Sequence, residues 1–207
     1  VPRVFRTADE PPLRQLLERH PEASSVSIGN LGHLPIVRGL SRTLRGDCGL
    51  NIFNSRALLF WREQGLDSAA VSFELRWQQI RDLKKHLPCE AIVYGRLPLM
   101  LMENCVMKNR TGTCSCQTTQ TKLIDRMGEE FPIVKDPGTC RNVLLNGKKL
   151  YLLDKKDAFR GMGLWALRLQ FTTENAGEVD RVLSEYRSGA RFEPGSCTRG
   201  LYNRGVE

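Results

Sequence analysis

Short apolar runs alternate with amphipathic stretches along the first 104 residues, and the period switches between two and about 3.6. Arg3–Thr7, Ser24–Asn30 and Leu44–Phe53 read as strands, the last allowing for Gly46 and Gly49. Ala69–Leu75 and Glu90–Tyr94 read as two more. Between them, Pro11–His20 sets Leu13, Leu16 and Leu17 on one helical face, and Pro11-Pro12 suits a first turn. Ser55–Gln64 is a second helix, stopped at Gly65, and Trp77–His86 a third, with Ile80 and Leu83 on one face. Strands alternating with helices of this length imply parallel βαβ units, in part of a barrel or a doubly wound sheet. No G-x-G-x-x-G follows any strand, so a dinucleotide-binding sheet has little support.

From Asn104 to Cys140 the periodicity stops. This stretch is polar, rich in Thr and Gln, and holds four of the seven cysteines. A segment so long is functional or separately stabilised, and a bound metal would supply that stabilisation. Alternation then resumes, with strands at Leu150–Leu153 and Leu167–Phe171 and a helix over Ala176–Tyr186. Gly189–Glu207 is a Gly- and Arg-rich tail. The opening residues lack signal-peptide order and a starting Met, so the expectation is a chain that has lost something upstream.

Composition changes this picture in two respects. Lys and Arg exceed Asp and Glu by eight, with a pI near 9.3, which favours an anionic partner and RNA above all, although a solvated basic surface explains it equally. Seven cysteines without a secretory signal argue for reduced thiols or metal ligands in a cytoplasmic protein. No apolar run approaches the ~20 residues that cross a bilayer.

Cys105, Cys114, Cys116 and Cys140 form the candidate ligand set. Four thiolates with one distant member suit an iron–sulfur cluster or a structural zinc. The paired C-x-x-C knuckles of zinc ribbons are absent. The plainer alternative is four reduced cysteines, but the polar run Lys108–Thr113 offers no core to bury them. Cys48 and Cys89 read as core residues, and Cys197 as a free thiol.

The run from Glu90 to Met100, then Glu103-Asn104-Cys105, Leu123–Arg126, Gly128, Phe131-Pro132 and Cys140-Arg141, resembles the collagenase-like peptidase family, U-32. Asn146, Leu167–Leu169, Thr198–Gly200 and Arg204–Val206 extend the resemblance over nearly the whole chain. It implies an α/β fold, the C-terminal part of a TIM-like (β/α) barrel. On that reading residues 1–104 are partial barrel, 105–140 a cysteine-rich insert, 141–188 returning barrel and 189–207 a tail. It also implies a four-iron, four-sulfur cluster on the four cysteines. Relatives often carry C-x-x-x-C where this chain has Cys114-Ser115-Cys116. The family name records proteolysis, yet its better-understood members resemble factors that hydroxylate RNA pyrimidines or quinone rings without molecular oxygen. The RNA branch is linked to prephenate as oxygen donor. The resulting expectation is an iron–sulfur hydroxylase of RNA bases. The alternatives are a peptidase acting on a peptide substrate and a zinc-stabilised RNA-binding module.

Barrel enzymes act at the C-terminal ends of their strands. Those positions fall near Asn30, Asn51, Asn54 and Arg168 as substrate-binding candidates, and Glu74 and Arg96 as catalytic ones. Glu74 follows an apolar run and suits proton transfer, or is a solvated strand-end carboxylate or an arginine's partner. Arg96 suits bidentate capture of a carboxylate or phosphate, or pairs with Glu90 or Glu103. Of the three histidines, His20 and His86 lie near helix ends, and His33 follows a strand and is placed to face the barrel mouth. There is no H-E-x-x-H and no G-x-S-x-G, so proteolysis has no visible machinery.

Overall fold

The computed structural model describes residues 1–113, 121–136, 139–189 and 195–204. In chain order the first elements are α1 (Glu10–Arg19), β1 (Ser25–Ile28), α2 (Leu34–Val37), β2 (Thr43–Gly46), α3 (Ser55–Glu63) and β3 (Ser68–Ala70). There follow α4 (Trp77–Asp82), β4 (Cys89–Gly95), β5 (Pro98–Met102), α5 (Val106–Thr111), β6 (Thr121–Ile124) and β7 (Glu130–Lys135). The chain closes with β8 (Asn142–Leu145), β9 (Lys149–Tyr151), α6 (Lys156–Arg160), β10 (Ala166–Gln170), α7 (Ala176–Ser188) and β11 (Cys197–Thr198). Two compact units result: 1–92 with 156–168 and 200–207, and 93–155 with 169–199.

In the first unit β1, β2, β3 and the start of β4 pair in parallel, in that order. Side chains alternate across a strand, so the register decides each face. Val26, Ile28, Leu44, Ala69, Cys89 and Ala91 share one face and are all buried. The other face carries Ser27, Arg45, Ser68 and Glu90. Parallel sheets are normally apolar on both sides, whereas here buried Ala70 shares this face with polar and charged side chains.

The mixed α/β class and the parallel alternation stand; among the described residues the strands do not close a barrel. Arg3–Thr7 is not a strand. Asp9 accepts the Arg6 N–H at 2.8 Å and starts a tight turn instead. The strand expected over Leu44–Phe53 ends at Gly46, because Asp47 caps a turn over Cys48–Leu50 and Asn51 turns left-handed at φ 49°. Beyond it only Ile52 bridges to Val71.

The second unit joins two sheets. Tyr94 and Gly95 at the end of β4 pair antiparallel with β9, which pairs with β11. Separately, β5, β8, β7 and β6 form an antiparallel sheet in that order. Part of the stretch expected to be aperiodic is therefore regular, with the helix α5 and the strand pair β6 and β7. The sheet's edge strand β5 carries Pro98 and a bulge beside Leu99, both of which discourage further pairing. No helix among the described residues is long and apolar enough to cross a membrane.

Candidate functional site

The antiparallel sheet gathers the cysteine-bearing segments. Met102 at the end of β5 lies opposite Asn142 at the start of β8, which lies opposite Lys135 at the end of β7. Thr121 opens β6 opposite Ile133, two residues from that same edge. Cys105 therefore leaves β5, and Cys140 enters β8, at one end of the sheet. Two contacts tie these departures together. Buried Arg141 donates to Glu103 at 2.9 Å, and the Val106 N–H donates to the Asn142 side chain at 2.8 Å. On the approach to Cys140, the Asp136 N–H bonds the Arg141 carbonyl and the Thr139 N–H bonds the Asp136 carbonyl.

Cys105 precedes α5, and its sulfur accepts the Lys108 N–H at 3.5 Å. Cys105 and Cys140 are both free thiols, the second exposed. Unpaired thiols, one already accepting a backbone N–H, are the donor chemistry that an iron–sulfur cluster uses. Cys114 and Cys116 lie outside the described residues. Among the described residues no three His, Cys, Asp or Glu side chains gather as ligands. Lys108, Arg110 and Lys135 stand at this end with no ion pair among the described residues.

In the parallel unit the strand-end candidates separate into caps and charges. Asn30 accepts the Gly32 N–H at 2.8 Å and Asn54 the Ala57 N–H at 2.9 Å, so both cap helical turns. Asn51 is exposed at the left-handed position. Glu74 is half-exposed, and its carboxylate has no partner among the described residues. Arg168 donates to both Asp47 and Glu90. Burial pushes the Asp47 carboxyl upward, but the Arg168 guanidinium and the Cys48 N–H outweigh it and hold the pKa below the usual value. The Cys48 thiol is pushed up to about 11 by burial and then by Asp47. Cys89 rises to about 11 by burial. On the same polar face Arg45 bonds Ser68 at 3.0 Å and lies 4.7 Å above the ring of Trp165.

His33 is fully buried, not at an open mouth. Phe5 meets its ring edge-on at 4.8 Å, and neither ring nitrogen has a hydrogen-bond partner. Burial, and then the N-terminal charge, lower its pKa to about 4. The unfolded chain therefore binds an extra proton between about pH 6.5 and 4, so this site's stability is complete above 6.5 and lost as pH falls. We expect an acid limb of about 2–3 kcal/mol by pH 4, measured by urea unfolding. In His33→Leu that limb flattens.

In the second unit Arg96 fastens a turn. It donates to the Asn146 carbonyl at 2.8 Å, to the Gly147 carbonyl, and to the Thr173 hydroxyl at 3.2 Å. Glu90 and Glu103, the alternative partners considered for it, are taken by Arg168 and Arg141. Sequence reasoning missed a cluster nearby. Lys149 reaches Glu174 at 3.1 Å and Glu178 at 3.3 Å, and the Tyr94 hydroxyl lies 3.4 Å from Glu174. Burial pushes the Tyr94 phenol up. Burial would also raise Glu174, but the Thr172 N–H and the Lys149 ammonium hold it down. The only local signal was Asn175 with Glu178, a capping box opening α7.

A family model, peptidase family U32, matches residues 15–191. The tRNA hydroxylation protein P1 of Bacillus subtilis (strain 168) is 26% identical over 156 residues, covering 66% of this chain and 35% of that relative. The chain thus spans about a third of the length of the curated relative it matches. No solved structure matches it.

Proposed function

The chain belongs to peptidase family U32, and on that premise we propose that it serves an iron–sulfur-dependent, oxygen-independent hydroxylation of pyrimidine bases in RNA. The observation that carries this reading is the convergence of Cys105 and Cys140 at one sheet end, tied by the Arg141–Glu103 and Asn142–Val106 contacts. The name of the Bacillus relative supports the RNA substrate.

In this reading Cys105, Cys114, Cys116 and Cys140 hold a four-iron, four-sulfur cluster, within a (β/α) barrel to whose C-terminal part the parallel strands belong. Such a cluster supplies one-electron chemistry when bound. The Lys108 N–H donates to the Cys105 sulfur, and Arg141, next to Cys140, is tied to Glu103 beyond the end of β5. Lys108, Arg110 and Lys135 draw the phosphate backbone toward this end. Glu74, free of any partner among the described residues, takes a proton from the substrate. Arg168 orients bound substrate through the carboxylates it organises, and an organic donor of the prephenate type provides the oxygen atom. Arg96 holds a turn in place, so it acts by positioning.

The peptidase reading gains nothing from the thiols of Cys48 and Cys89. At about 11 both are protonated, poor nucleophiles. Mass spectrometry of nucleosides from host RNA tests the proposal. Deleting the gene should remove a hydroxylated pyrimidine, and the wild-type gene but not Cys140→Ser should restore it. An unchanged nucleoside profile in the deletion strain refutes it.

A further inference from the structure

Folding does not account for Met127. It is 91% exposed, more than any other large apolar side chain described, at the tip of the hairpin joining β6 to β7. Yet this tip is braced. The Asp125 carboxylate accepts the Met127 N–H at 2.8 Å and the Glu129 N–H at 2.9 Å. Asp125 and Glu129 also pair through the backbone at 3.1 Å, and Gly128 takes the left-handed turn position at φ 81°.

A second layer supports the first. Glu129 packs so closely on Gly147 that a Cβ there would meet its carboxylate at 2.5 Å. The Gly147 turn is in turn held by Arg96, directly after the C-terminal end of β4. The backbone of the tip is thus fixed to a strand end, and its two outward side chains are Arg126 and Met127. Arg126 is exposed with no partner among the described residues, and so is the Lys148 ammonium beside Gly147.

We propose that this tip is a nucleic-acid wedge, with Met127 entering a base step and Arg126 and Lys148 gripping the flanking phosphates. The inference rests on the RNA reading and names the contact that reading lacks. Chemistry on a base requires taking it out of the stack, which leaves a gap that an inserted side chain fills. Apolar wedges flanked by cations do this in nucleic-acid binders, and an unbranched thioether adapts to an irregular gap. A protein partner would need a broader apolar patch. Here Leu123 and Ile124 point to opposite faces of β6, and Asp125 and Arg126 flank the tip.

The test uses a single-stranded RNA of alternating uridine and 2-aminopurine, whose fluorescence rises on unstacking. Wild-type protein should bind it and raise the fluorescence. Met127→Ser should remove most of that rise while changing affinity less than about threefold. Arg126→Gln should weaken binding and flatten the salt dependence by about one unit of slope. Thermal midpoints should move little, because Met127 is 91% exposed and Arg126 is exposed with no polar partner among the described residues. If wild type binds but Met127→Ser gives the same rise, the wedge is wrong and the RNA reading survives. If wild type binds no RNA, both fall.

Discussion

Gly95→Ala is expected to prevent stable folding of the unit that carries the cysteines. Gly95 sits at φ 121°, a conformation that alanine strongly resists. A Cβ there would also overlap the backbone carbonyl oxygen of Gln170. Backbone strain costs about 1–3 kcal/mol, and the clash with an atom that cannot rotate away adds at least as much. A loss of about 4 kcal/mol is a large part of a domain's whole stability. Urea unfolding followed by circular dichroism should show a far lower midpoint or no folded baseline. Gly161→Ala, with open space around its Cβ, is the control and should be close to neutral.

Arg168→Met is expected to cost about 2–3 kcal/mol at neutral pH, below the range for a fully buried pair because Arg168 is only partly shielded from water. The substitution leaves Asp47 and Glu90 facing each other without their shared cation. The pH dependence identifies the cause. In the wild type Asp47 has a lowered pKa, so its contribution is present above the unfolded value and is lost as pH falls through the folded one. Without Arg168, burial dominates and the Asp47 carboxyl rises instead. The variant's deficit should then shrink from pH 7 to pH 5. A deficit independent of pH would mean that Arg168 contributes packing alone.

Local patterns carried much of this fold. Helical spacing over Ser55–Gln64, stopped at Gly65, marked α3, and the spacing of Val179, Val182 and Leu183 marked α7. The buried run ending at Gly95 marked β4. What was not legible depends on partners distant in sequence. For Arg96 the sequence suggested anion capture or, as the alternative, a pair with Glu90 or Glu103, near it along the chain. Strand pairing gave Glu90 to Arg168, 78 residues away, and Glu103 to Arg141, 38 residues away. Tyr94 meets Glu174 across 80 residues, which no motif records.

The hairpin inside the cysteine stretch was obscured for a different reason. Neither face of β6 or β7 is deeply buried, so hydrophobic alternation is weak there. Its signal was the turn, Asp125 through Gly128, between two β-prone runs. For the candidate site, the thiols were visible at once, but that two of them leave the same sheet end follows only from strand register. The caps at Asn30 and Asn54 show the opposite case, since an asparagine at a strand end is also a preferred helix cap.

The most direct test is the iron, zinc and acid-labile sulfide content of anaerobically purified protein, wild type against Cys140→Ser. The account predicts iron and sulfide in about equal amounts in the wild type and near-complete loss of both in the variant. Zinc without sulfide, or no metal even after reconstitution with iron and sulfide, would contradict it.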